Sequence, residues 1–136
     1  MKQRRYFDHI DLRVKSRARA QHFYAELLPA LGFTSDGSGQ EWGQFQTPER
    51  SGVATEFFGF TEDRNHRPNE SRIAFWAESR EEVDRVAQVV KSAGALNIEG
   101  PQIWTEYTPA YYAVFFEDPD GNKLEVCHRE RPVVAE

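Results

Sequence analysis

Four side chains that could do chemistry stand at matching places in a chain that repeats itself: His9, Glu56, Arg72 and Glu125. His9 and Arg72 are 63 residues apart, each in an apolar run, and each run leads to a serine, Ser16 or Ser79, with the same separation. Glu56, within Val53-Ala-Thr-Glu56-Phe-Phe, and Glu125, within Lys123-Leu-Glu125-Val, are lone acids among apolar residues near the end of each half. An imidazole and two carboxylates are ligands for a divalent ion or acid–base groups. Arginine is neither: it stays protonated and has no lone pair to share.

The elements that must position this quartet follow from periodicity. Residues Tyr6 to Val14 and Ser71 to Ala77 read as strands. Ser16 reads as a helix N-cap, followed by a stripe of Ala20, Phe23, Tyr24, Leu27, Leu28 and Leu31, with Pro29 ending the regular helix and Gly32 beyond it. Ser79-Arg-Glu-Glu82 is a capping box, followed by a stripe of Val83, Val86, Ala87, Val90 and Ala93 and closed by Gly94. Further strands are predicted over 41–46, 53–60, 96–98, 111–117 and 122–128, with a loop over 101–109. The last two strands are joined by the turn Asp118-Pro-Asp-Gly121, which is structural. The polar stretch 61–70 links two modules, one of about residues 4–62 and one of about residues 70–130, within a single domain over 1–136.

Alternation along strands assigns faces. The aliphatic set Ile10, Leu12 and Val14 packs on a helix, which leaves His9 on the opposite face. Glu56 is expected to share a face with Phe58 and Phe60, Arg72 with Ala74 and Trp76, and Glu125 with Lys123 and Cys127. A sheet covered by helices on one side only would gather the quartet in one aromatic-lined cleft, with Phe58, Trp76, Trp104 and Tyr107 as candidate walls. Trp76, Trp104, Tyr107 and Tyr111 are either core or wall. His128 is expected to point away from Glu125, His22 to lie exposed on its helix, and His66, in the linker, is a stand-in ligand candidate.

Bulk properties narrow the class. Net charge is −5, which argues against nucleic acid, since its binders need a basic stripe. Ten Phe, five Tyr and three Trp supply an ample core. Cys127 is the single cysteine, so no intramolecular disulfide forms. No apolar segment follows Met1-Lys-Gln-Arg-Arg as in a signal peptide, and no run approaches the ~20 apolar residues of a membrane span. A cytoplasmic protein with no membrane partner is expected.

Phe7-Asp-His9-Ile-Asp-Leu, Arg72-Ile-Ala-Phe-Trp-Ala and the closing Tyr112-Ala-Val-Phe-Phe-Glu-Asp-Pro-Asp-Gly-Asn-Lys-Leu-Glu125 resemble three strand segments of the vicinal oxygen chelate superfamily, the glyoxalase, bleomycin-resistance and extradiol dioxygenase group. The resemblance implies an α+β fold of two βαβββ modules forming a cupped mixed sheet, and a homodimer. It also implies a divalent metal (Zn, Ni, Mn or Fe) held by His9, Glu56 and Glu125, with arginine standing at position 72 where histidine is usual. In the enzyme it suggests, a glyoxalase-like lyase or isomerase, the metal polarises a small oxygenated substrate while Glu56 or Glu125 removes an α-proton and Arg72 steadies the negative charge. In the alternative, Arg72 replaces the metal, pairs with the two glutamates, and the protein is a metal-free binder of small molecules like the drug-sequestering members. Extradiol dioxygenase chemistry is less favoured, because it needs two histidines and one carboxylate.

Overall fold

The computed structural model describes residues 4–130. The chain divides into two compact units that meet between Arg67 and Pro68. Both have the same plan. In the first unit, β1 (His9–Val14) leads to α1 (Arg17–Ala30), then β2 (Ser35–Asp36), β3 (Trp42–Gln46) and β4 (Phe57–Glu62). In the second, β5 (Arg72–Trp76) leads to α2 (Arg80–Ala93), then β6 (Leu96–Ile103), β7 (Tyr111–Glu117) and β8 (Lys123–Arg129). The strand orders are β1-β4-β3-β2 and β5-β8-β7-β6. The first and last strands of each unit pair in parallel, and the remaining pairs are antiparallel. Each unit is thus a four-stranded mixed sheet with one helix, as the two-module α+β reading expected.

Local chemistry explains the helix ends. The Ser16 hydroxyl accepts from the Arg19 N–H, and the Ser79 hydroxyl accepts from the Glu82 N–H at 3.1 Å. Glu82 reaches back to the backbone N–H of Glu78, one residue before the cap. Gly94 closes α2 in the left-handed conformation, at φ 95°, where a side chain would be strained. Pro29 is tolerated in the last turn of α1, which continues to Ala30.

Each core lies between a helix and one face of its sheet. In the first unit Tyr24 stacks on Phe60 and Phe58 of β4, with ring centroids 5.0 and 5.3 Å apart. Gly43 of β3 is the close approach that admits the Phe60 ring, because any Cβ there would collide with it. In the second unit Val83, Val86 and Val90 of α2 are buried, as are Val114, Leu124 and Val126 of the sheet. The Asp118–Asn122 turn is held by its own side chains: Asp118 Oδ1 accepts from the Asp120 and Asn122 N–H groups, and Oδ2 accepts from Asn122 Nδ2.

Three expectations shift. The fourth strand starts at Phe57 rather than Val53, so Glu56 precedes it. Phe58, expected in a cleft wall, is 1% exposed and packed on α1. The helix covers that face, and the even-numbered residues of β4 point at it. Finally, β6 runs through Pro101 to Ile103, where a loop was expected. Its place at the sheet edge tolerates a residue without an N–H, and two register shifts absorb the irregularity. Because Phe58 is core, Phe58→Ala should lower stability by about 3–5 kcal/mol in denaturant titration. A loss below about 1 kcal/mol would mean that the ring lines a cleft instead.

Candidate functional site

The parallel pairs decide which side chains reach the face that each helix leaves open. In the first unit β1 pairs with β4 so that His9 stands beside Phe57 and Ile10 beside Phe58. The His9 imidazole stacks on the Phe57 ring, with centroids 4.2 Å apart and planes within 7°. His9 Nδ1 lies 2.7 Å from Asp8 Oδ2. An Nδ1–H donated to that carboxylate leaves Nε2 as the acceptor. Phe57, not Glu56, is therefore the β4 residue beside His9. Glu56 is bound through its backbone to Thr47, whose hydroxyl accepts from the Glu56 N–H. Its carboxylate faces Arg5 Nε at 4.0 Å, and Arg5 also donates to the Ala54 carbonyl at 2.7 Å. These groups, with Pro48, Arg50 and Val53, line a cleft of about 320 Å³.

In the second unit the expected faces are the observed ones. Glu125 stands between Ala74 of β5 and Phe115 of β7, and Cys127 between Trp76 and Ala113. Arg72 lies on the same face, exposed, with its guanidinium carbon 4.6 Å from the centre of the Phe115 ring. This is a cation–π contact. Glu125 is 5% exposed, and its Oε2 accepts a hydrogen bond from the Tyr111 hydroxyl. A buried carboxylate requires such a donor. Arg72 is thus engaged with a ring, and Glu125 with a hydroxyl, instead of with each other.

Aromatic side chains complete this face. Trp104 packs edge-on against Phe115 and donates from Nε1 to the Ala113 carbonyl at 3.0 Å. Tyr107 lies against Tyr111 and remains 57% exposed, and Trp76 is 50% exposed. On the opposite face His128 is held by its Nδ1 to the Ala77 carbonyl at 2.8 Å, pointing away from Glu125 as expected.

Burial and its neighbours set the titration of the cluster. Burial, then the hydrogen bond to Glu125, pushes the Tyr111 hydroxyl far above its ordinary 10.0. Burial likewise pushes the Cys127 thiol up, against a hydrogen bond to Tyr111 that lowers it. The thiol therefore stays neutral near pH 7, which disfavours a nucleophilic role.

Sequence reasoning singled out Glu125 and Arg72 but missed Tyr111 as the carboxylate's partner, and Phe57 and Asp8 as the neighbours of His9. The signal for Tyr111 was present. A hairpin turning at Asp118–Gly121 places odd-numbered residues of both strands on one face, and Ala113 leaves room for the longer Tyr111 to reach along it.

The donor set does not fit a metal centre in either unit. Arg72 brings no lone pair to the position where a ligand was expected, Tyr111 already holds Glu125, and Phe57 fills the place beside His9. Within each unit, among the described residues, no three His, Cys, Asp or Glu side chains gather as a metal site. Among the same residues no helix is long and apolar enough to cross a membrane.

Folding holds the protons of Tyr111 and Cys127 more tightly, so the unfolded chain releases them first. The resulting stabilisation should be full below about pH 8.5 and be lost as pH climbs through 10 and beyond. Thermal melts across this range should show the decline, and Tyr111→Phe should flatten it. An equally steep decline in the variant would place its cause elsewhere.

Among proteins of curated function, none matches this chain. Among solved structures, a glyoxalase/bleomycin resistance protein from Albidiferax ferrireducens is 28% identical, with 91% of this chain and 98% of that chain covered at a TM-score of 0.70. The fosfomycin resistance protein FosX from Mesorhizobium loti is 15% identical, covering 94% and 95% at a TM-score of 0.64. FosX from Listeria monocytogenes, solved as a mutant complexed with Mn(II) and dihydroxypropylphosphonic acid, is 21% identical, covering 89% and 87% at 0.62. The two FosX likenesses show a shared fold alone. The family described as the Glyoxalase/Bleomycin resistance protein/Dioxygenase superfamily matches residues 6–126, nearly the whole chain, and the protein belongs to that superfamily.

Proposed function

We propose that this protein binds a small anionic compound with an aromatic or apolar body on the open face of its second sheet, without a metal ion. The observation that carries this reading is Arg72. It is a permanent cation, exposed, and laid along Phe115 instead of being spent on Glu125. A guanidinium in this setting can take a carboxylate or phosphonate through two parallel hydrogen bonds. Trp76, Trp104 and Tyr107 supply the surface on which an apolar body would pack. A homodimer is the assembly that the superfamily resemblance suggests.

The measurement is a tryptophan-fluorescence titration with a panel of aromatic carboxylates in the presence of a chelator. Saturable binding is expected, and Arg72→Gln should weaken it at least about tenfold, or ~1.4 kcal/mol. Undiminished binding to that variant would remove Arg72 from the site and with it this reading.

A second reading, a metal-dependent glyoxalase-like lyase or isomerase, is favoured by one observation. Asp8 orients His9 through Nδ1, the arrangement that commonly supports a metal-ligating imidazole. Elemental analysis of the purified protein separates the two. About one chelator-removable transition metal per chain, lost in His9→Ala, would replace the first reading with the second.

A further inference from the structure

We infer that Tyr111 is a specificity-determining residue. By holding Glu125 it closes the second sheet's open face to metal ions and reserves it for anions. This rests on the proposal that this face is the ligand site, and it names the residue that sets the sign of charge accepted there.

The charges that β5, β7 and β8 carry on this face are Arg72, Glu117, Lys123, Glu125 and Arg129. Lys123 pairs with Glu70 at 3.4 Å, and Glu117 accepts from Asn97 Nδ2 at 3.0 Å. Glu125 is bonded by Tyr111 and is nearly inaccessible. Among the described residues, Arg72 and Arg129 are the charges of this face with neither an ion pair nor a hydrogen-bonding side-chain partner, and of the two Arg72 is the one laid over Phe115.

Were Glu125 free, a buried carboxylate near an arginine would compete with any incoming anion and attract cations in its place. The hydroxyl of Tyr111 prevents this by supplying the donor internally. Its ring is fixed by Tyr107 on one side and by the β7–β8 pairing beneath, and the single methyl of Ala113 leaves the path to Glu125 open. A phenylalanine at position 111 would keep the ring and abandon the carboxylate. With Arg72 also removed, a metal ion is a partner that could then satisfy Glu125.

Two locks thus stand against a cation: the charge of Arg72 and the hydroxyl of Tyr111. Removing the first alone, in Arg72→His, adds a ligand but leaves Glu125 occupied. Removing both frees the carboxylate as well.

The test is calorimetric titration of Mn(II) into the full chain as wild type, Arg72→His, Tyr111→Phe and the double variant, with circular dichroism to confirm folding. The double variant should bind Mn(II) at least about tenfold more tightly than Arg72→His, and adding Glu125→Gln should erase the gain. A merely structural role for Tyr111 predicts no gain of affinity. Equal affinity in the single and double variants, including no binding in either, overturns the inference. A gain that survives Glu125→Gln also overturns it. If Tyr111→Phe does not fold, Tyr111→Met carries the same comparison. The ligand-face proposal fails separately, through wild-type protein that binds no anionic compound in the chelator experiment.

Discussion

The parallel pairing of the first and last strand in each unit is the constraint on which everything else here depends. It sets the register of the two strands that carry the candidate chemistry, His9 with Phe57 and Arg72 with Lys123. Because side chains alternate with period two, one register divides each strand into a helix-facing set and an open-facing set. In the second unit that division puts Arg72, Trp76, Glu125 and Cys127 on the open side. In the first unit it puts His9 there and sends Phe58 and Phe60 into the core. The same constraint built twice produces two faces with different chemistry, because the residues that fill equivalent positions differ.

That difference bears on how the fold is used. The first unit offers an imidazole oriented by a carboxylate, with a phenylalanine where a second oxygen donor would help. The second offers a guanidinium over a ring and a carboxylate already bonded to a phenol. In the second unit the neighbours of Glu125 create an aromatic surface on which Arg72 is laid.

Much of this was legible in the sequence. The repeat disclosed the two modules, the serine caps disclosed both helices, and alternation placed Arg72 and Glu125 on one face because β5, β7 and β8 are regular. Glu56 lies before its expected strand for a physical reason. The segment before Phe57 is held by Thr47 and Arg5 through backbone bonds, so it leaves the strand, and a strand that starts later changes the face of the residue before it. Composition alone cannot reveal such a start, since Val53 to Phe60 is as apolar as a true strand. Tyr111 was visible as an aromatic on the correct face. What selected it from its aromatic neighbours was reach along the strand over Ala113, which is a matter of side-chain length and packing.

The proline in β6 carries a consequence of another kind. That strand borders its sheet and exposes apolar Leu96 and Ile103. A straight, fully hydrogen-bonding border of this composition would invite a strand from another molecule to add to it and begin aggregation. Pro101 withholds one donor, and the two register shifts interrupt the regular spacing of the rest. The irregularity that hid this strand from periodicity therefore also makes it a poor template for edge-to-edge pairing.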